Sequence, residues 1–266
     1  YGLDQPVPVQ YLNWLVNILQ LNFGKSLYGG GSVNGIIIPK IWPTIELQVV
    51  SLLIAFAISI PIAVYSAKKP YSKGDVTITS FALFGVSMPT FWFGLLLIIV
   101  FSFTLGWLPS AGSQGVGNFL WWGNPVLDAI AHLILPVTVL VYVSLAQNIR
   151  LIRANMLEVL RSDYILAARA SGISERKVVY RYALRNAITP AVTFLGISLG
   201  GMIAGAPMTE YVFSWPGLGR QYVASTLGLD FPVVMGITMI ITVMTLIANL
   251  VMDVLYVYID PRVRIR

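Results

Sequence analysis

Gly24-Lys25-Ser26 is the one tripeptide in this chain that looks like the end of a phosphate-binding loop. Such a loop needs a glycine five residues before Gly24, and Leu19 stands there. The eleven acidic residues are scattered: Asp4, Glu46, Asp75, Asp128, Glu158, Asp163, Glu175, Glu210, Asp230, Asp253 and Asp260. No two are spaced on one helix face as a general acid and base. Nucleophile and metal patterns such as Ser-x-x-Lys, Gly-x-Ser-x-Gly and His-Glu-x-x-His are missing. His132 is the single histidine and sits in an apolar run, and cysteine is absent, which excludes disulfides and thiolate ligation. The chain is therefore read as a non-catalyst that binds no cofactor or metal of its own. Asp253 lies close to the end of an apolar run, where an interfacial role is expected of it.

The elements that carry these residues are membrane elements. Hydrophobic residues make up 57% of the chain and charged ones 11%, with a mean hydropathy of +0.78. Soluble domains carry about 25% charged residues. The fold class expected is an all-α polytopic membrane protein. Five segments reach the roughly 17–25 apolar residues that span a bilayer, near Ile45–Ala67, Phe81–Phe103, Ala129–Asn148, Ala187–Pro207 and Pro232–Val257. Residues 1–44 form a separate N-terminal segment, with a short amphipathic stretch from Tyr11 to Leu19 and loop signals at residues 29–31 and Asn34-Gly35. Tyr1 opens the chain without a charged stretch and short apolar core, so no secretory leader is read there. Pro61, Pro89, Pro136 and Pro190 fall in or beside spans, as kinks in packed helices or as hinges. Thr189-Pro190 reads as an N-cap followed by proline at the first helical position.

Fourteen of the 17 Lys and Arg fall on one side of this arrangement. They are Lys68, Lys69 and Lys73; Arg150, Arg153, Arg161, Arg169, Arg176, Lys177, Arg181 and Arg185; and Arg262, Arg264 and Arg266. Lys25, Lys40 and Arg220 fall on the other. The positive-inside rule makes the first side cytoplasmic, with residues 1–44 outside and the C-terminus inside.

Between the third and fourth spans lies DYILAARASGISERKVVYRYALRN, Asp163 to Asn186. Tyr164, Ala168 and Ser171 have i, i+4, i+7 spacing and would present one small-residue face of a short helix. Gly172 stops that helix in a left-handed conformation, and Ser174 can cap a second helix running through Val178, Val179 and Tyr182. Together they form a helix–Gly–helix elbow suited to docking on a partner protein, with Arg169, Arg176 and Lys177 available to acidic groups.

This stretch resembles the cytoplasmic "EAA" loop of binding-protein-dependent ABC importer permeases, most closely the dipeptide/oligopeptide branch. The matching pieces are Asp163-Tyr164, Ala168-Arg169-Ala170-x-Gly172, and Ala183-Leu184-Arg185-Asn186-Ala187 followed by Pro190. Gly2-Leu3-Asp4-Gln5-Pro6, Asn22-Phe23-Gly24-Lys25-Ser26, Trp215-Pro216-Gly217-Leu218-Gly219-Arg220 and Asp260-Pro261-Arg262 are similar to that branch as well. The glutamate that names the loop is Leu166 here and the proline of the general pattern is Arg185; the peptide branch commonly departs at both.

The resemblance implies a type I ABC importer-like fold, with a permease transmembrane domain over residues 45–266 and a further helix upstream of residue 1. It implies a multi-pass protein of the cytoplasmic membrane whose partners are a second homologous permease, two ATPase subunits that bind the ATP and Mg, and an extracytoplasmic substrate-binding protein. The elbow over residues 163–186 would couple to an ATPase through Asp163, Tyr164, Ala168, Arg169, Ala170, Ser171, Gly172, Ser174 and Glu175. Glu210, Trp215, Pro216, Gly217 and Arg220 would lie at the outer mouth, facing the binding protein. Gly196, Gly200, Gly201 and Gly205 form two small-xxx-small pairs for close helix packing, on a helix that is a candidate to line the pathway. Peptides are the implied cargo, with oligosaccharides or another small solute as the alternative. An ion-coupled transporter would need midplane carboxylates and a channel a selectivity ring; neither is visible.

Overall fold

The computed structural model describes residues 4–115 and 123–259. The C-terminal motif Asp260-Pro261-Arg262, with Arg264, Arg266 and their expected cytoplasmic side, lies outside the described residues, as do Gly2 and Leu3. Among the described residues the regular secondary structure is helical, apart from one isolated bridge between Lys25 and Ser32. In order they form α1 (Val7–Leu19), α2 (Val33–Lys68), α3 (Lys73–Ser87), α4 (Thr90–Leu97) continued by a π-helical stretch (Ile98–Thr104), and α5 (Pro125–Val159). The elbow follows as α6 (Asp163–Ala170) and α7 (Glu175–Lys177), a second π-helical stretch (Val178–Ala183), and α8 (Leu184–Ala187). The remainder is α9 (Thr189–Gly201), a 3-10 turn (Met202–Ala204), α10 (Pro207–Val212), α11 (Leu218–Leu227) and α12 (Phe231–Ile259).

The main packing is α2 against α5. Along α2 the buried residues Ser51, Ala55, Ser59, Ala63 and Ala67 recur every fourth position and form a ridge of small side chains. Lipid tails are as apolar as leucine, so helices in a bilayer gain from close backbone approach rather than from hydrophobic burial. The ridge supplies that approach. The Ser51 hydroxyl donates to Leu47 O at 2.7 Å and Ser59 to Phe56 O at 2.9 Å, so the buried hydroxyls are satisfied within the helix.

Three described helices are long and apolar enough to cross a membrane: α2, α5 and α12; counting the bent pair α3 and α4 as one span makes four. Two expected spans are thereby revised. The second is broken, because α3 and α4 meet at 102° around Pro89, which has no N–H to continue a helix. In the fourth, α9 ends at Gly201, and Gly205 stands beyond it in the left-handed region at φ 71°. Gly201 and Gly205 are therefore not a helix-face pair. Gly196 is buried on α9, which packs against α12 and α5 within this chain. The first span begins at Val33, so Asn34-Gly35 is its first turn and not a loop; Asn34 holds it by donating to Leu21 O at 2.6 Å. Thr189 does not cap forward: its hydroxyl bonds back to Arg185 O at 3.5 Å.

Candidate functional site

The elbow packs on the ends of α2 and α5. Ile165, Ala168, Val178, Val179, Ala183 and Ala187 join Ala63, Val64 and Ala67 of α2 and Ile149, Ile152 and Met156 of α5 in one buried cluster. The expected stop is present: Gly172 has φ 73°, its N–H donates to Arg169 O at 3.0 Å, and Ile173 N–H donates to Ala168 O at 3.2 Å. These two bonds satisfy the carbonyls left open at the helix end, the pattern of a Schellman motif. Ile173 then packs against the same cluster. Ser174 occupies the N-cap position of α7 without a side-chain capping bond.

The register of α6 differs from the expected one. Its buried stripe is Ile165 and Ala168, while Asp163, Leu166, Ala167 and Ala170 share the outward face. Ala168 is thus part of the chain's own core and not of a docking face, since the cluster of α2 and α5 side chains beneath selects the apolar Ile165 side. Tyr164 lies at the edge, its hydroxyl accepting from Asn186 Nδ2 at 2.8 Å. Arg169 is not free for a partner's carboxylate either. Its Nη2 and Nε donate to the two oxygens of Glu175 at 2.8 and 3.1 Å, and the guanidinium holds the Glu175 carboxyl below its usual range. This exposed pair ties α6 to α7 across the glycine turn.

Beside the elbow stands a site that sequence reading missed. Arg153 of α5 donates through Nε and Nη2 to Asp75 Oδ1 and Oδ2 at 2.8 and 2.7 Å. Asp75 also accepts from the Ser66 hydroxyl of α2 and from Tyr71 N–H, the latter at 2.8 Å. Its side chain is only 4% exposed. One carboxylate therefore ties α2, α3 and α5 together at the elbow end. The available signal was an acid, Asp75, inside a basic turn, after Lys68, Lys69 and Lys73.

The expected outer-mouth group resolves differently from its prediction. Trp215 is buried among Leu47, Ala55, Val137 and Val141 and donates from Nε1 to Pro43 O at 2.8 Å. Glu210 is fully buried. Its carboxylate accepts from Thr44 Oγ1 at 3.1 Å and Arg220 N–H at 3.2 Å. Gly217 approaches Glu210 and Thr44 so closely that a Cβ would clash with both. Of the five residues expected to face the binding protein, Arg220 alone is well exposed, its Nη1 donating to Ser214 O at 2.9 Å. A buried aromatic and a carboxylate that folds the loop around itself are the physical reasons for the correction. Ser26, from the tripeptide resembling a phosphate loop, donates to Asp230 Oδ2 at 2.5 Å and pins residues 22–32 to the start of α12. His132 is buried, its Nδ1 2.8 Å from Asp128 O.

Burial pushes the Glu210 carboxyl above the usual carboxylate range, against the pull of its hydrogen-bond donors. With the folded value above the unfolded one, about 4.3, the folded chain keeps a proton that the unfolded chain has lost. The stabilisation is full below the unfolded value and is lost as pH rises through the folded one. The thermal midpoint of the wild type is therefore expected to fall relative to that of Glu210→Gln as pH is raised from about 4 through the folded value. Parallel pH curves for the two proteins would remove this account.

Residues 59–265 match the sequence profile of a family described as binding-protein-dependent transport system inner membrane component. The oligopeptide transport system permease protein AppB of Bacillus subtilis (strain 168) is 43% identical over 264 residues, 99% of this chain and 82% of the relative. The dipeptide transport system permease protein DppB of Escherichia coli (strain K12) is 38% identical over 280 residues, covering 99% of this chain and 83% of the relative. Among solved structures, an inward-facing conformation of the MetNI methionine ABC transporter shares the fold with a TM-score of 0.65 and 18% identity, covering 85% of this chain and 96% of its own. An amino acid ABC transporter crystallised with histidines gives a TM-score of 0.60 at 18% identity, covering 84% of this chain and 93% of its own.

Proposed function

Because the chain belongs to the family of binding-protein-dependent transport system inner membrane components, we propose that it is the membrane-spanning permease subunit of an ATP-driven peptide importer. The peptide cargo is supported by the oligopeptide and dipeptide permeases among its relatives. The subunit lies in the cytoplasmic membrane with its elbow and C-terminus inside. It lines the pathway together with a second homologous permease, and Arg220 faces an extracytoplasmic binding protein. Two ATPase subunits hold the ATP and Mg.

The observation that carries the coupling role is the two-sidedness of the elbow. One side is buried on the ends of α2 and α5, and the other leaves Leu166, Ala167 and Ala170 uncovered. A partner that moves the outer side must therefore move the helices with it, because a packed core transmits displacement rather than absorbing it. Closure of the ATPase dimer would displace the elbow as a rigid body and rock the bundle between two states. The bias comes from the different affinity of the ATPases for those states.

The test is capture of the tagged chain from solubilised membranes, with identification of every bound chain. A second permease and an ATPase are expected in the complex. A complex without any ATPase overturns the proposal.

A further inference from the structure

The second arm of the elbow carries Arg176, Lys177, Tyr180, Arg181 and Arg185 around one shallow concavity of about 570 Å³. All five are exposed. Arg153 pairs with Asp75 and Arg169 with Glu175, both away from this concavity. The four cations of the concavity have no carboxylate within salt-bridge distance among the described residues. Like charges gathered in this way repel one another, so their grouping calls for an anion.

Lys177, Arg181 and Arg185 share one face by their i, i+4, i+8 spacing, and the backbone draws the other pairs closer. Residues 178–183 are π-helical, with i→i+5 hydrogen bonding in place of i→i+4. The wider turn brings residues five apart towards one line, and Arg176–Arg181 and Tyr180–Arg185 are both five apart. In a regular α-helix these pairs would diverge by more than a quarter turn.

Depth then selects the anion. Arg185 precedes the start of α9 at Thr189 by four residues and Arg181 by eight. At about 1.5 Å per residue, and with the first turn of α9 taken as entering the leaflet, they lie roughly 6 and 12 Å from that turn. The polar layer of a bilayer leaflet is roughly 5–8 Å thick, within reach of long arginine side chains. Tyr180 and Tyr182 supply the aromatic rings usual at that level.

We propose that this concavity binds the phosphate of an anionic phospholipid of the cytoplasmic leaflet, and so fixes the membrane side of the elbow to the bilayer. The site rests on the cytoplasmic placement of the elbow given above. It takes Arg176 and Lys177, which the sequence alone offers to acidic partner groups, and assigns them to lipid.

The test measures lipid retained by the purified full chain in its complex, by native mass spectrometry after titration with phosphatidylglycerol or phosphatidylcholine. Wild type is expected to retain phosphatidylglycerol preferentially, and Arg181→Gln with Arg185→Gln to weaken that retention about tenfold. The paired change Arg181→Lys with Arg185→Lys should recover most of it, and Lys68→Gln with Lys69→Gln should leave it unchanged. Equal losses in the two glutamine pairs would mean diffuse attraction and overturn the site. So would competition by inorganic phosphate at the concentration of the lipid, or unchanged lipid retention with loss of the ATPase, which would hand the patch to the protein partner. Orientation is checked separately with Ser171→Cys in this cysteine-free sequence. Labelling by a membrane-impermeant maleimide only after the membrane is opened supports the cytoplasmic placement, and labelling of sealed cells overturns that placement and the lipid site with it.

Discussion

Arg153→Met is expected to lower the stability of the folded chain by about 3–5 kcal/mol, since it strands Asp75 as an unpaired buried carboxylate. Asp75 retains the Ser66 hydroxyl and the Tyr71 N–H as donors, but neither carries a countercharge. Asp75→Leu should destabilise comparably, because it leaves the guanidinium, the hydroxyl and the N–H without their acceptor. The double variant Asp75→Leu with Arg153→Met should recover much of the loss, since well-packed apolar replacements for a buried pair are often neutral. Thermal midpoints of the four proteins in one detergent decide the matter. A double variant as unstable as the sum of the singles would show that the pair acts through packing and not through charge. The pair joins α2, α3 and α5 next to the elbow, so its loss should also weaken transmission of movement from the elbow into the bundle. Uptake by Arg153→Met should therefore fall further than the amount of folded protein.

The second large effect is expected on the outward face of α6. Leu166→Asp combined with Ala170→Trp should reduce ATPase capture at least tenfold and lower uptake by about two orders of magnitude, with a normal amount of permease in the membrane. A charge and a bulky ring there disturb a close apolar fit, while neither side chain belongs to the chain's own core. Leu166 is 53% exposed at the position where the wider family carries its eponymous glutamate, so a contact made there would be apolar. Ala168→Trp is the contrasting variant. Ala168 is buried against Val178 and Val179, and forcing a large ring into that space costs about 1–3 kcal/mol. It should lower the amount of folded permease before it affects docking. If the Leu166 and Ala170 pair left ATPase capture intact, α6 would not be the docking helix.

The composition and the spacing of apolar runs were sufficient for the fold class, because a bilayer permits few backbone solutions and each leaves a long apolar signature. The elbow was legible for a similar reason. Gly172 is a local stop, and its left-handed backbone and Schellman bonds depend on residues within one turn of it. The motifs of the elbow and the Trp215–Arg220 loop were likewise sufficient for the family, which the relatives bear out over 99% of the chain.

What only the tertiary structure decided were pairings between residues distant in the chain. Asp75 and Arg153 are 78 positions apart, and Thr44 and Glu210 166 apart. No local period connects such pairs, and a buried carboxylate reads in sequence like an exposed one. The ridge Ser51, Ala55, Ser59, Ala63 and Ala67 was written in the sequence, but that α5 is the helix which covers it was not. The register of α6 followed the same rule. Helical spacing defines the possible faces, and the side chains already waiting on α2 and α5 select which one is buried.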